Sequence, residues 1–131
     1  MKVFLIDDDD IFNCMNQAII ERIQSDAEVQ VFKSGTEVVE HLTSLNMNSP
    51  MPDIIFLDIR MPDMDGFALL EELEKMPENP FHQSAIYMLS STLDERDLEK
   101  AKSKKMIRGF LGKPLTVEKM REICWDLQLI S

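Results

Sequence analysis

Five short runs of strand-forming character recur along the chain, each followed by a segment of helical period: Lys2 to Ile6, Glu28 to Phe32, Ile54 to Leu57, Ser84 to Leu89 and Ile107 to Leu111. A strand followed by a helix, five times over, leaves few solutions, because parallel strands need crossovers long enough to hold a helix. The chain is therefore expected to be α/β, with a parallel sheet covered by helices on both faces. The run from Ile54 to Leu57 is continuously apolar, which marks it as a central strand buried on both sides.

The intervening segments carry helix signals. Ile11, Met15, Ile19 and Ile23 stand at i, i+4 spacing and are predicted as the buried stripe of a first helix. Ser34-Gly35-Thr36-Glu37 reads as a capping box opening a second helix through Leu45, with a loop over Asn46 to Pro52. Gly66 opens a third helix through Met76, stopped by Pro77 and Pro80. Thr92-Leu93-Asp94-Glu95 reads as a second capping box, and Lys100, Lys102, Lys104 and Lys105 crowd the end of that fourth helix as a solvated, dipole-favoured terminus. Val117, Met120, Cys124 and Leu127 form the core stripe of a fifth.

At 131 residues and 44% hydrophobic, the chain is expected to be one domain, 1–131, with no effector domain after the fifth helix. A net charge of −10 weighs against a nucleic-acid partner, whose affinity is drawn from clustered Lys and Arg. No apolar run has the length of a signal segment or a membrane span, so a cytoplasmic protein without membrane attachment is expected. Cys14 and Cys124 lack C-x-x-C spacing and read as reduced, core-filling thiols. The ten methionines read mostly as core filler, and His41 and His82 as surface or core-edge residues without metal-ligand partners.

The polar residues that terminate the apolar runs matter most. In an open α/β sheet, ligands bind outside the carboxyl ends of the strands near the topological switch point. Asp7 and Asp8 follow the first run, Asp58 the third, Ser90 the fourth, and Lys113 lies just past the fifth. Singly, each reads as a helix cap, a turn residue or a surface lysine; convergence at strand ends makes one shared site the better reading. Asp7 and Asp8 supply hard oxygen ligands suited to Mg²⁺, while Asp9 and Asp10 read as cap and helix-dipole partners. Asp58, ending a central strand, is the candidate nucleophile for phosphoryl transfer, with Lys113 as the neutralising cation and Ser90 as a hydroxyl donor. Gly109-Phe110-Leu111-Gly112-Lys113-Pro114 is no P-loop, because its glycines are too close and Pro114 stands where a Ser or Thr would bind magnesium.

The string Phe56-Leu57-Asp58-Ile59-Arg60-Met61-Pro62-Asp63-Met64-Asp65-Gly66, together with the acidic pair and Lys113-Pro114, resembles the receiver domain of two-component response regulators over nearly the whole chain. The resemblance implies a flavodoxin-like doubly wound (βα)5 sandwich of strand order 2-1-3-4-5. It implies that Asp58 is the phosphorylated aspartate, Asp8 a direct Mg²⁺ carboxylate and Asp7 its partner. Arg60 matches the position whose backbone carbonyl binds the metal, Ser90 the switch hydroxyl, Phe110 the switch aromatic and Lys113 the phosphoryl-binding lysine, with a cis bond to Pro114. A sensor histidine kinase or histidine phosphotransfer protein is the implied donor, and the face of helix 4, strand 5 and helix 5 the implied output surface. Trp125 is either a contact there or a packed terminal residue. The chain is expected to be a monomer or a phosphorylation-dependent dimer, and a signalling domain rather than an enzyme.

Three other readings compete: a phosphorelay intermediate, an unphosphorylated interaction module, and a small phosphatase of the haloacid dehalogenase type. The module reading is weakened because acceptor, acids, hydroxyl and lysine are all present. The phosphatase reading takes Asp7 and Asp9 as its D-x-D pair but finds no later acidic pair to complete the site.

Overall fold

The computed structural model describes residues 1–44, 50–76, 80–92 and 94–128. Five strands, β1 (Lys2–Ile6), β2 (Glu28–Phe32), β3 (Ile54–Asp58), β4 (Ala85–Ser90) and β5 (Ile107–Gly112), alternate with helices α1 (Asp10–Ile23), α2 (Gly35–Ser44), α3 (Gly66–Glu74), α4 (Glu95–Lys102) and α5 (Val117–Asp126). All strand pairs are parallel, in the order β2-β1-β3-β4-β5, so β3 lies at the centre as its apolar run requires. The fold is the flavodoxin-like doubly wound sandwich.

Two apolar layers sandwich the sheet. On one face Phe4, Ile6, Ile55, Leu57, Ile86 and Met88 pack with residues of α2, α3 and α4. On the other, Val3, Leu5, Phe56, Tyr87 and Leu89 pack against Ile20 of α1 and Met120, Ile123 and Cys124 of α5. Alternate side chains along each strand thus feed opposite layers, which is why the central strands read as unbroken apolar runs. His41 sits at the edge of the first layer, its ring near Phe4 and Phe32 at 5.9 and 5.2 Å between centroids.

Strands β3, β4 and β5 each run one residue past their apolar stretch, taking Asp58, Ser90 and Gly112 into the sheet. Ser84 instead closes a turn, its hydroxyl donating to the Pro52 carbonyl at 2.7 Å. Helix α1 departs furthest from expectation. Of its apolar stripe, Ile19 and Ile23 pack on the core as expected, but Ile11 is 71% exposed and Met15 is also exposed, while Asn13, Asn16 and Ile20 are buried. The N-terminal half is rotated because its inner face must supply hydrogen-bonding groups to loops at the strand ends, a demand the Ile/Met spacing does not register. The same rotation puts Cys14 at the surface, correcting its reading as core filler, while Cys124 is buried.

The box at Ser34 forms in modified fashion: the Glu37 N–H donates to Ser34 Oγ at 3.1 Å, and the Glu37 carboxylate reaches back to the Lys33 N–H at 2.7 Å. The box expected at Thr92 does not form. Asp94 is the N-cap of α4, accepting from the Arg96 N–H at 2.8 Å, while the Thr92 backbone is tied to Ser90. Ser103 caps the other end, so Lys104 and Lys105 lie beyond the helix. Helix α3 ends at Glu74, short of Met76. Leu45, Asn46 to Ser49, Pro77 and Leu93, expected to form a helix end, a loop, a stop and part of a cap, lie outside the described residues.

Candidate functional site

The parallel register puts the ends of β1, β3, β4 and β5 at one edge of the sheet, and the chain leaves each strand there through polar residues. Lys113 bridges two carboxylates: its Nζ is 2.9 Å from Asp7 Oδ2 and 3.3 Å from Asp58 Oδ1, and all three side chains are only 3–5% exposed. Asp8 is exposed and completes the group; one carboxylate oxygen from each of Asp7, Asp8 and Asp58 lies within 4.8 Å of the others.

The electrostatics follow from this crowding. Burial and the nearby Asp7 charge push the Asp58 carboxyl up from its ordinary 3.8 to about 7, outweighing the pull of Lys113. Burial alone would lower the Lys113 ammonium, but Asp7 and Asp58 together hold it above its ordinary range. One cation thus serves two buried acids and leaves the pocket with excess negative charge. A small hard dication ringed by carboxylates would relieve that excess, so the donor set fits Mg²⁺.

Backbone and second-layer contacts hold these groups in place. Asp9 is the N-cap of α1, accepting from the Ile11 and Phe12 N–H groups, and its own N–H donates to Asp7 Oδ1 at 2.9 Å. Asp10 occupies the first turn and pairs with Lys33 at 2.7 Å. The Asn13 amide donates to the Asp7 carbonyl at 2.8 Å, while Asn16 Oδ1 accepts from the Leu115 N–H at 2.9 Å, just past the cis bond between Lys113 and Pro114. Phe12 presents its ring to Lys113 Nζ, 4.3 Å from the centroid. Sequence reasoning missed Asn13, Asn16 and Phe12. The available signal was a pair of asparagines at i, i+3 inside a helix, where asparagine is a poor helix former and needs another reason to be present.

Ser90, buried at the end of β4, bonds through Oγ to the Thr92 carbonyl and accepts from the Thr92 N–H at 3.1 Å. Its hydroxyl presently closes that turn. Phe110 is half-buried against the layer that contains α3 and α4. Arg60 directs its N–H toward Asp58 Oδ1 at 3.4 Å, while its guanidinium leaves the pocket to pair with Asp97 of α4 at 2.7 Å. Gly66 abuts the acceptor strand so closely that a Cβ there would stand 2.6 Å from the Asp58 carbonyl oxygen.

The family of response regulator receiver domains matches residues 3–124. The chain belongs to that family. A two-component response regulator from Cytophaga hutchinsonii has the same fold, with a TM-score of 0.87 and 32% identity over 98% of this receiver and 96% of that chain. Among curated relatives, a protein-glutamate methylesterase/protein-glutamine glutaminase of Hahella chejuensis is 34% identical over 80 residues, 61% of this receiver and 20% of that protein. A two-component response regulator of Oryza sativa subsp. indica is 29% identical over 126 residues, 94% of this receiver and 16% of that protein. The receiver therefore spans a fifth or less of these two curated relatives. Its function is that of a phospho-accepting receiver in two-component signal transduction. Among the described residues, no helix is long and apolar enough to cross a membrane.

Proposed function

We propose that Asp58 is the phosphoryl acceptor of this receiver. The observation that carries the reading is the buried arrangement of Asp7, Asp58 and Lys113, with Asp8 beside it at the strand ends. A carboxylate oxygen of Asp58 attacks the phosphorus of a phosphohistidine on a sensor kinase or phosphotransfer protein; the P–O bond forms, the P–N bond breaks, and the imidazole leaves with the electron pair and takes up a proton. Water later attacks the acyl phosphate, releasing inorganic phosphate and restoring the carboxylate.

Asp7, Asp8, Asp58 and the Arg60 carbonyl would hold Mg²⁺, which when bound offsets the charge of carboxylates and phosphoryl oxygens. Lys113, free to exchange a carboxylate for a phosphoryl oxygen, supplies a second positive charge. Ser90 gives up its Thr92 contact to donate to the phosphoryl group, and Phe110 turns further inward in the space beside it. The face of α4, β5 and α5 then carries the signal to a protein target. Trp125 is 74% exposed on that helix, which favours a contact role over terminal packing.

The chain acts as one receiver domain and a signalling protein rather than an enzyme, in the cytoplasm, as a monomer or a phosphorylation-dependent dimer, without nucleic-acid or membrane partners. Asp9 is committed to capping α1, so the phosphatase reading loses the second acid of its D-x-D pair. The test is intact mass after incubation with acetyl phosphate. One phosphoryl adduct is expected, dependent on Mg²⁺ and absent in Asp58→Asn; an adduct persisting in Asp58→Asn overturns the assignment.

A further inference from the structure

Arg60 is rooted beside the acceptor but engaged elsewhere. Its N–H points at Asp58 Oδ1, yet its guanidinium pairs with Asp97, whose carboxylate is only 11% exposed on the first turn of α4. Asp94, the N-cap of the same helix, also feels the Arg60 charge. One cation therefore ties the loop after β3 to a helix whose one fully buried apolar residue is Ala101. Asp97 and Ala101 are the buried residues of α4, and its further links to α3 are polar: Lys100 over the Phe67 ring at 4.8 Å, and Lys104 just past the helix at 4.0 Å from Glu71 and Glu74.

A phosphoryl group on Asp58 would bring about two negative charges and three strong acceptor oxygens next to the root of Arg60. Guanidinium matches that geometry in bidentate fashion, and does so better than it matches one oxygen of a carboxylate. If Arg60 moved, Asp97 would lose its ion pair with that largely exposed side chain and keep only the more distant charge of Arg96, so the first turn of α4 would lose its tie to the loop after β3. Because α4 is thinly anchored by apolar contact, a shift of that turn is within reach of one exchanged ion pair.

We propose that Asp97 is a positioning residue for phosphorylation: it holds the Arg60 guanidinium on α4 while Asp58 is unmodified, and the phosphoryl group competes for that guanidinium and releases α4. The inference rests on Asp58 being the acceptor. It makes Asp97 a brake on the phosphorylated state, acting wholly through Arg60.

Beryllofluoride with Mg²⁺, a phosphoryl mimic, tests this on the full chain by titration, with backbone amide exchange as a second readout. Asp97→Asn should tighten beryllofluoride binding about fivefold by removing the competitor, and Asp97→Glu should bring it back toward the parent. Arg60→Gln should weaken binding, and adding Asp97→Asn to it should change nothing further. In the parent, beryllofluoride should speed amide exchange at Arg96 and Leu98, whose N–H groups bond to Asp94, and leave α3 unchanged; unaltered exchange at both overturns the release of α4. Unaltered or weaker binding in Asp97→Asn overturns the proposal, as does an Asp97→Asn effect that survives in the Arg60→Gln background. If Asp97→Asn fails to fold, Arg60→Gln decides alone, and unaltered binding there is equally fatal. A parent protein that binds no beryllofluoride and gains no adduct from acetyl phosphate overturns the acceptor assignment itself; a parent that does both while Asp97→Asn is unchanged overturns only the competition.

Discussion

Helices α3 and α4 lie on the same face of the sheet and are built on opposite principles. Helix α3 buries Gly66, Phe67, Leu69, Leu70 and Leu73, so it is fixed by removal of apolar surface from water. Helix α4 buries Asp97 and Ala101, half-buries Leu98, and is further tethered by Arg60, by Lys100 and by Lys104 just past its end. Apolar packing is dense and intolerant of small displacements, whereas an ion pair can be exchanged for another of similar strength. The contrast teaches where this receiver can move: the helix after the acceptor strand is seated, and the helix after Ser90 is moored by charge.

The sharpest way to break the comparison is to truncate one apolar side chain on each helix and measure urea unfolding. Leu70→Ala should cost about 2–5 kcal/mol, as for a fully packed core leucine, whereas Leu98→Ala, half-buried on α4, should cost only about 1 kcal/mol. Equal costs would erase the distinction. Next comes the seat of α3 against the acceptor strand. Gly66→Ala forces a methyl group to within 2.6 Å of the Asp58 carbonyl and should destabilise by about 1–3 kcal/mol. It should also slow acetyl phosphate labelling, because the strand end has to give way.

A third experiment separates the charge strain of the pocket from the apolar seating around it. Asp58 keeps its proton to about pH 7 in the folded protein but only to about its ordinary 3.8 when unfolded. Between those values the native state binds more protons, so stability falls as pH rises through that window. Asp58→Asn should therefore stabilise the fold by about 1–2 kcal/mol at pH 8, less than the full shift implies because Lys113 loses a partner. The gain should shrink toward zero near pH 4, and thermal unfolding across that range checks it. A gain that is flat with pH would mean that the carboxylate is not strained. The smallest effect belongs to α4: its amides should exchange about tenfold faster than those of α3, and 1 M salt should widen the gap by screening Arg60 and Lys104.

Much of this was legible in order along the chain. Strands β1 and β2 fall at the expected residues and the other three within one, because period and composition encode strand burial locally. The gathering of Asp7, Asp8, Asp58 and Lys113 at one edge, with the Ser90 backbone beside Lys113, follows from where those runs stop, once the strands are parallel. The facing of α1 was legible only in its second half, where Ile19 and Ile23 pack on the core. Ile11 and Met15 carry the periodic signal and stand exposed, while Asn13 and Asn16 are buried, because the deciding partners are the Asp7 carbonyl and the Leu115 N–H, the latter 99 residues from Asn16. The cap of α4 was misread for a related reason, since Thr92 is occupied by Ser90 rather than by its own helix.

The sequence by itself determined what each segment could become, since apolar period, capping residues and the polar stop at each strand end act between near neighbours. It also determined the chemistry available, a set of acids with one lysine and one hydroxyl. Only the tertiary structure decided which cation answers which acid. Lys113 is shared between Asp7 and Asp58, and Arg60 is taken by Asp97 from 37 residues away. Those pairings depend on distance and burial across the assembled sheet, and a charge carries no mark of its partner until the fold has removed the water between them.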